Sequence, residues 1–161
     1  AVSIGIEVRG RLEHGVIFAP CTNDLYVASR GSGAMLNNRR LRTSGARELD
    51  VALIGTGVPL QAQFLPEYLP MLERVAASTA GVRRAGSAAL DLAYVAAGRL
   101  DAFFEFNLKP WDIAAGIVLV QEATGVVRSL REDSDVMTDG HILAAGSRLI
   151  DALQQRLLGG S

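Results

Sequence analysis

Val2, Ile4, Ile6 and Val8 alternate with small or polar residues from the first position of the chain. A side-chain period of two is that of an extended strand with one apolar face, so a half-buried strand is already under way there. Residues 2–9 and 11–19 read as two strands joined by a tight turn at Arg9-Gly10-Arg11, and Asp24 to Ser29 as a third. Ala34-Met35-Leu36 and Arg40-Leu41-Arg42 flank Asn37-Asn38, a pair that tolerates the positive φ of a hairpin turn. Val51 to Thr56 is a further apolar strand. Residues 1–57 therefore predict antiparallel sheet. Because a domain rarely opens inside a strand, sequence upstream of Ala1 is expected.

The period then lengthens. Leu65, Tyr68, Leu69, Leu72, Val75 and Ala76 recur at helical spacing across Phe64 to Ala77. Pro66 suits a first turn, whereas Pro70 is an interior residue expected to break or kink the helix. From Gly81 onward the order is strand, helix, strand, helix, strand, strand, helix. Ser87 to Ala97 and Ile113 to Thr124 are the clearest helices; Leu100 to Phe104, Val126 to Ser129 and Ile142 to Ala145 are the strands. Glu132 to Asp139 reads as a polar surface connection. Such alternation predicts a mixed, largely parallel sheet covered by helices over residues 58–161. The fold class is α/β, a layered α+β sandwich.

The bulk numbers narrow the function. No run of eighteen apolar residues occurs, and no basic stretch leads into an apolar core at the start, so neither a membrane span nor a secretory signal is read. Cys21 is the only cysteine, which excludes an intrachain disulfide and fits a reducing cytoplasm. The formal net charge is −1, with Lys and Arg scattered, so no nucleic-acid footprint appears. A small molecule is the expected partner.

Three places could carry chemistry. In Pro110-Trp111-Asp112-Ile113-Ala114-Ala115-Gly116, Pro110 and Trp111 close a loop and Asp112 stands where a helix starts. Asp112 either caps that helix or holds a hard cation such as Mg²⁺, and the two roles can coexist. The small Ala114, Ala115 and Gly116 allow close packing beneath. In Arg83-Arg84-Ala85-Gly86-Ser87-Ala88-Ala89, a strand ends, a glycine turns the chain and Ser87 begins a helix. Its free N–H groups attract anions or hydroxyls, unless Ser87 is only a cap. In Phe103-Phe104-Glu105-Phe106 a carboxylate lies among aromatics at a strand end; it needs a neighbouring Arg or a polyol ligand. His14 and His141 form no catalytic pair and read as surface or strand residues, and no Gly-x-Ser-x-Gly elbow occurs.

Gly86-Ser87-Ala88-Ala89-Leu90-Asp91-Leu92, Ala96-Ala97-Gly98-Arg99-Leu100-Asp101, Phe103-Phe104-Glu105, Leu108 to Gly116 and Glu122-Ala123 occur in the order found in the inositol monophosphatase family, and the chain resembles its bacterial-type members. Val2-Ser3-Ile4, Gly15-Val16, Ala28, Arg30-Gly31 and Gly33-Ala34-x-Leu36-Asn37 are similar to the segment after the family's first metal motif, so the resemblance spans essentially the whole chain. It implies a Mg²⁺-dependent phosphomonoesterase in which a metal-activated water attacks phosphorus. By position, Asp112 matches a metal- and substrate-binding aspartate and Glu105 a carboxylate for substrate hydroxyls. Gly86, Ser87 and Ala88 match the helix start lining the sugar pocket, and Arg83 a substrate-contacting arginine. No residue is assigned as the catalytic base. Lithium sensitivity and a homodimer are also implied.

The family's Asp-Pro-Ile-Asp-Gly-Thr motif and its upstream metal-binding Glu are absent, so the resemblance is to a carboxy-terminal portion and the chain alone is expected to be inactive. Smaller departures are Ala19 for a usual Asp, and Asn107 and Thr124 for usual glycines. Asn107 is mild, whereas the β-branched Thr124 is expected to alter the local helix end. Inositol monophosphate or a similar polyol phosphate is the expected substrate. Fructose bisphosphate, histidinol phosphate or a nucleotide phosphate is the rival, and a non-catalytic half-domain that pairs with a partner chain is the alternative from another class.

Overall fold

The computed structural model describes residues 1–131 and 133–159; Glu132, at the head of the expected polar connection, lies outside them. Among the described residues the strands form two five-stranded sheets. The first contains β1 (Val2–Val8), β2 (Arg11–Ala19), β3 (Asp24–Ser29), β4 (Gly33–Leu36) and β5 (Arg39–Arg40), antiparallel and in sequence order. Asn37 and Asn38 hold φ of 46° and 66° in the β4–β5 turn, as their positions require.

The second sheet contains β6 (Leu53–Thr56), β7 (Gly81–Arg83), β8 (Ala102–Glu105), β9 (Gly125–Ser129) and β10 (Ile142–Gly146), ordered β7-β6-β8-β10-β9. It is mixed, and parallel pairing is confined to β6 with β7 and β8. β10 runs antiparallel to both β8 and β9, so the largely parallel character expected from the alternation holds on one side only. The reason is local. β9 and β10 are joined without a full crossover helix, and strands so joined pair antiparallel. That connection holds one helical turn, α4 (Val136–Asp139), capped by the Asp135 side chain.

Helices α2 (Ala88–Ala96) and α3 (Pro110–Glu122) fill the space between the sheets, while α1 (Leu65–Ser78) and α5 (Ile150–Leu158) cover the far face of the mixed sheet. Pro70 neither breaks nor ends α1, which runs through it. α3 crosses the antiparallel sheet at unusually small residues. A Cβ on Gly5 would come within 2.5 Å of the Ala114 Cβ, and one on Gly15 within 2.5 Å of the Ala115 carbonyl oxygen. Gly116 faces Leu92 of α2 just as closely. The run Ala114-Ala115-Gly116 thus sets the close approach expected of it.

This packing reverses one expectation about β1. Its alternation is present, but the small residues Ser3 and Gly5 face α3, and the aliphatic residues face out. Val2, Ile4, Ile6 and Val8 are 53%, 51%, 46% and 49% exposed. At the other end of α3, the Glu122 carboxylate accepts backbone N–H bonds from Gly31 (2.8 Å) and Gly33 (2.7 Å), tying helix to hairpin.

Candidate functional site

β8 ends at Glu105, α3 begins five residues later, and α2 begins after the turn that follows β7. These three termini meet at one edge of the mixed sheet, around a cleft of about 480 Å³. Gly86, Ser87, Ala88, Glu105 and Asp112 all line it. The site residues read from three separate segments of sequence are thereby brought together.

Arg83 is the exception. Its Nη1 turns back to donate to the Val82 carbonyl at 3.0 Å, and the arginine lining the cleft is Arg84. In two adjacent arginines at a strand end only one can point to each side, and sequence spacing does not say which.

α3 starts earlier than expected. Pro110 and Trp111 do not close a loop but open the helix, Pro110 occupying the first helical position for which its fixed φ is suited. Lys109 is the N-cap residue, so Asp112 lies in the first turn and not at the cap. Its Oδ2 accepts the Lys109 N–H at 2.9 Å, which fixes the carboxylate at the helix start with its remaining oxygen lone pairs available to the cleft. Ser87 does cap α2, its Oγ accepting from the Leu90 N–H at 3.4 Å. Gly86 turns the chain into that cap at φ 87°.

Glu105 has no hydrogen-bonding or ion-pair partner among the described residues. Burial pushes its carboxyl up to about 7, reinforced by the nearby negative charges of Asp91 and Asp112 and opposed by Arg84. The neighbouring arginine therefore moderates the charge without pairing with it. Gly57, after β6, lies directly under this side chain; a Cβ there would overlap the Glu105 carboxyl group. Beneath α2's first turn, Asp91 is 1% exposed with Oδ1 lacking a partner, and burial raises its carboxyl to about 6.

A second lobe of about 270 Å³ shares Glu105 and Asp112 with the cleft and is bounded by Gln61 and Asn107. The Asn107 amide donates to Gln61 Oε1 at 3.0 Å, and Asn107 holds φ 55°, the geometry expected of a residue replacing glycine. Thr124 also takes a left-handed φ, 69°. The histidines lie apart from the cleft. His14 is exposed on β2 and bonded to Ser29, whereas His141 is buried against Phe64 and Phe106. Gly57, Arg84 and Asp91 were missed as site residues. Asp91 alone left a signal, an acid on the apolar side of a helix.

The donor set is incomplete for a metal. Among the described residues no group of three His, Cys, Asp or Glu side chains could hold an ion. Asp112 and Glu105 face a common space, but Mg²⁺ requires more oxygen ligands than they offer. No helix among the described residues is long and apolar enough to cross a membrane.

A cleft formed where strand and helix termini converge, lined by carboxylates and a helix N-terminus, is set in an α/β sandwich of the phosphatase type. The model of the inositol monophosphatase family matches residues 1–158, and the chain belongs to that family. The chain is 51% identical over 156 residues to the Nus factor SuhB of Pseudomonas aeruginosa, which covers 95% of this chain and 58% of that protein. Among solved structures, the extragenic suppressor protein suhB of Bartonella henselae superposes with a TM-score of 0.94 at 43% identity, over 99% of this chain and 62% of that one. The inositol monophosphatase of Anabaena gives 0.92 at 36% identity, over 98% and 65%. The chain thus spans under two thirds of the length of these relatives.

Proposed function

We propose that this chain carries the polyol-recognition part of a Mg²⁺-dependent phosphomonoesterase acting on inositol monophosphate or a similar small polyol phosphate. The observation that carries the reading is the convergence of Glu105, Asp112 and the α2 N-terminus on one cleft. Glu105 faces that cleft half-buried and without a protein partner, so a ligand hydroxyl completes its hydrogen bonding. Below pH 7 its protonated form also donates one. The N–H groups at the start of α2, at Ser87 and Ala88, can donate to an anion or a hydroxyl oxygen, and Arg84 supplies positive charge beside them.

Asp112 is proposed as the one metal ligand this chain contributes. The described residues do not complete the set, so no metal-dependent step is assigned to them alone. Residues 1–161 are read as the carboxy-terminal portion of a single domain. Lithium sensitivity, a homodimer and a cytoplasmic location belong to the same proposal. A Staphylococcus aureus relative at 27% identity was solved with inositol monophosphate bound, which supports a polyol, and the same protein with 2'AMP keeps a nucleotide among the rivals.

A second reading is a non-catalytic one. It is supported by the name Nus factor carried by relatives at 47–51% identity and by the partial metal site. Phosphate release from inositol-1-phosphate in millimolar Mg²⁺ separates the two. Three proteins are compared: the 161-residue chain, a chimera in which it replaces the matched segment of the Pseudomonas relative, and the chimera carrying Asp112→Asn. The proposal expects release only from the unmodified chimera, with Asp112→Asn melting close to it, because the Asn side-chain oxygen can still accept the Lys109 N–H. A folded but inactive chimera favours the Nus-factor reading. Turnover by the chain alone would show that the metal ligands have been misplaced.

A further inference from the structure

The lobe beside the cleft lies between two stretches of chain, residues 58–64 and 105–112. They are joined by the stacked rings of Phe64 and Phe106, 6.4 Å between centroids, and by the Asn107–Gln61 amide bond. A volume of about 270 Å³ is below that of pockets for drug-sized ligands, so the lobe suits one small ring. Glu105 and Asp112 line both lobe and cleft. A substrate held by those two carboxylates therefore extends into the lobe.

Asn107 is fixed from behind. It holds φ 55°, which asparagine tolerates better than most residues. Its backbone N–H donates to Nδ1 of His141 at 3.3 Å. That nitrogen accepts only when the ring proton is on Nε2, and burial lowers the His141 pKa, which favours the neutral ring. Beside it the Leu108 N–H donates to the Gly140 carbonyl at 2.9 Å, and a Cβ on Gly140 would overlap the Leu108 carbonyl oxygen. The corner between α4 and β10 thus seats the loop from which the Asn107 carboxamide reaches Gln61.

We propose that Asn107 is a specificity-determining residue: its carboxamide, bridged to Gln61, walls the lobe so that the site accepts a compact polyol phosphate and turns away a nucleoside phosphate. The inference rests on the phosphatase reading and adds to it the residue pair that selects among phosphomonoesters. With the bridge made, Asn107 Oδ1 still accepts and Gln61 Nε2 still donates, which suits the hydroxyls of a small ring. A nucleoside is larger and must part the two amides before it enters. Because His141 and Gly140 already hold the loop, the bridge costs little further ordering.

The test is steady-state kinetics of the chimera and its Asn107→Gly, Gln61→Ala and double variants on inositol-1-phosphate and 2'AMP. Glycine is at ease at φ 55° and Gln61 is exposed, so each variant should melt with the parent. The expected result is a lower kcat/KM for inositol-1-phosphate and a higher one for 2'AMP. The preference for the polyol should fall roughly three- to tenfold, the worth of one hydrogen bond. The double variant should lose no more than either single one, because both break the same bridge. General damage to the fold would instead lower both substrates together. An active chimera whose preference is unchanged in both single variants overturns this inference and leaves the phosphatase reading standing. So do parallel losses on the two substrates, or single effects that add in the double variant. A chimera that turns over neither substrate removes the phosphatase reading and this inference with it. If Asn107→Gly melts well below the parent, Gln61→Ala alone decides.

Discussion

Gly57→Ala isolates the packing that holds Glu105 against the cleft. A Cβ at this position overlaps the Glu105 carboxyl group, and φ at Gly57 is outside the left-handed region, so the backbone itself accepts alanine. Two opposing effects follow. Alanine reduces the freedom of the unfolded chain and would by itself stabilise by about 0.4–1 kcal/mol. The overlap forces the Glu105 side chain off its position or shifts β6, at a cost of about 1–3 kcal/mol. The net loss is therefore roughly 0.5–2 kcal/mol, or a few degrees in melting temperature for a chain of this length. In a Glu105→Ala background the overlap is gone and only the favourable part remains, so the same substitution should be neutral or stabilising. The coupling read from the four-protein cycle is about 1–3 kcal/mol, well above the few tenths expected of independent sites. Urea denaturation of the four proteins gives it directly. Additive effects within about 0.5 kcal/mol would refute the claim that Gly57 exists to seat Glu105.

Two further outcomes concern strain and protonation. Thr124→Gly should raise stability by about 1 kcal/mol, because a β-branched residue held at φ 69° is strained there and glycine is not; a lower urea midpoint contradicts this. Asp91→Asn should gain stability relative to wild type as pH rises from 4 to 7. Burial raises the Asp91 carboxyl to about 6, so the folded chain binds the extra proton and the wild type loses this contribution as pH climbs from the ordinary carboxylate range through 6. A difference between the two proteins that is flat or shrinks over that range contradicts the sign.

Much of the architecture was legible because period and punctuation agree. β2, β3, the Asn37-Asn38 turn and helix α2 with its Ser87 cap follow from local chemistry alone, and they lie where that chemistry puts them. What was illegible depends on contacts distant in sequence. The period of β1 fixes two faces but not which is covered; Gly5 against Ala114, more than a hundred residues away, decides it. Likewise, the choice between Arg83 and Arg84 depends on where β7 stops pairing with β6, at Arg83, and the direction of β10 on its connection from β9. That Glu105, Asp112 and the Gly86-Ser87-Ala88 turn come from the ends of elements was readable in their segments, and the fold brings them to one cleft. Gly57 was not readable, since a glycine required by another residue's carboxyl group leaves no local trace.

The central claim is that Glu105 recognises the hydroxyl groups of a polyol phosphate, and steady-state kinetics of Glu105→Gln in the chimera tests it most directly. The measurement compares inositol-1-phosphate with a simple aryl phosphate that has no hydroxyls to offer. Loss of a contact made only to the polyol predicts a raised KM for inositol-1-phosphate, with the aryl phosphate's kcat/KM close to that of the parent chimera. Equal losses on both substrates would contradict the account: Glu105 would then serve the phosphoryl end of the site or the fold, and the substrate class would be open again.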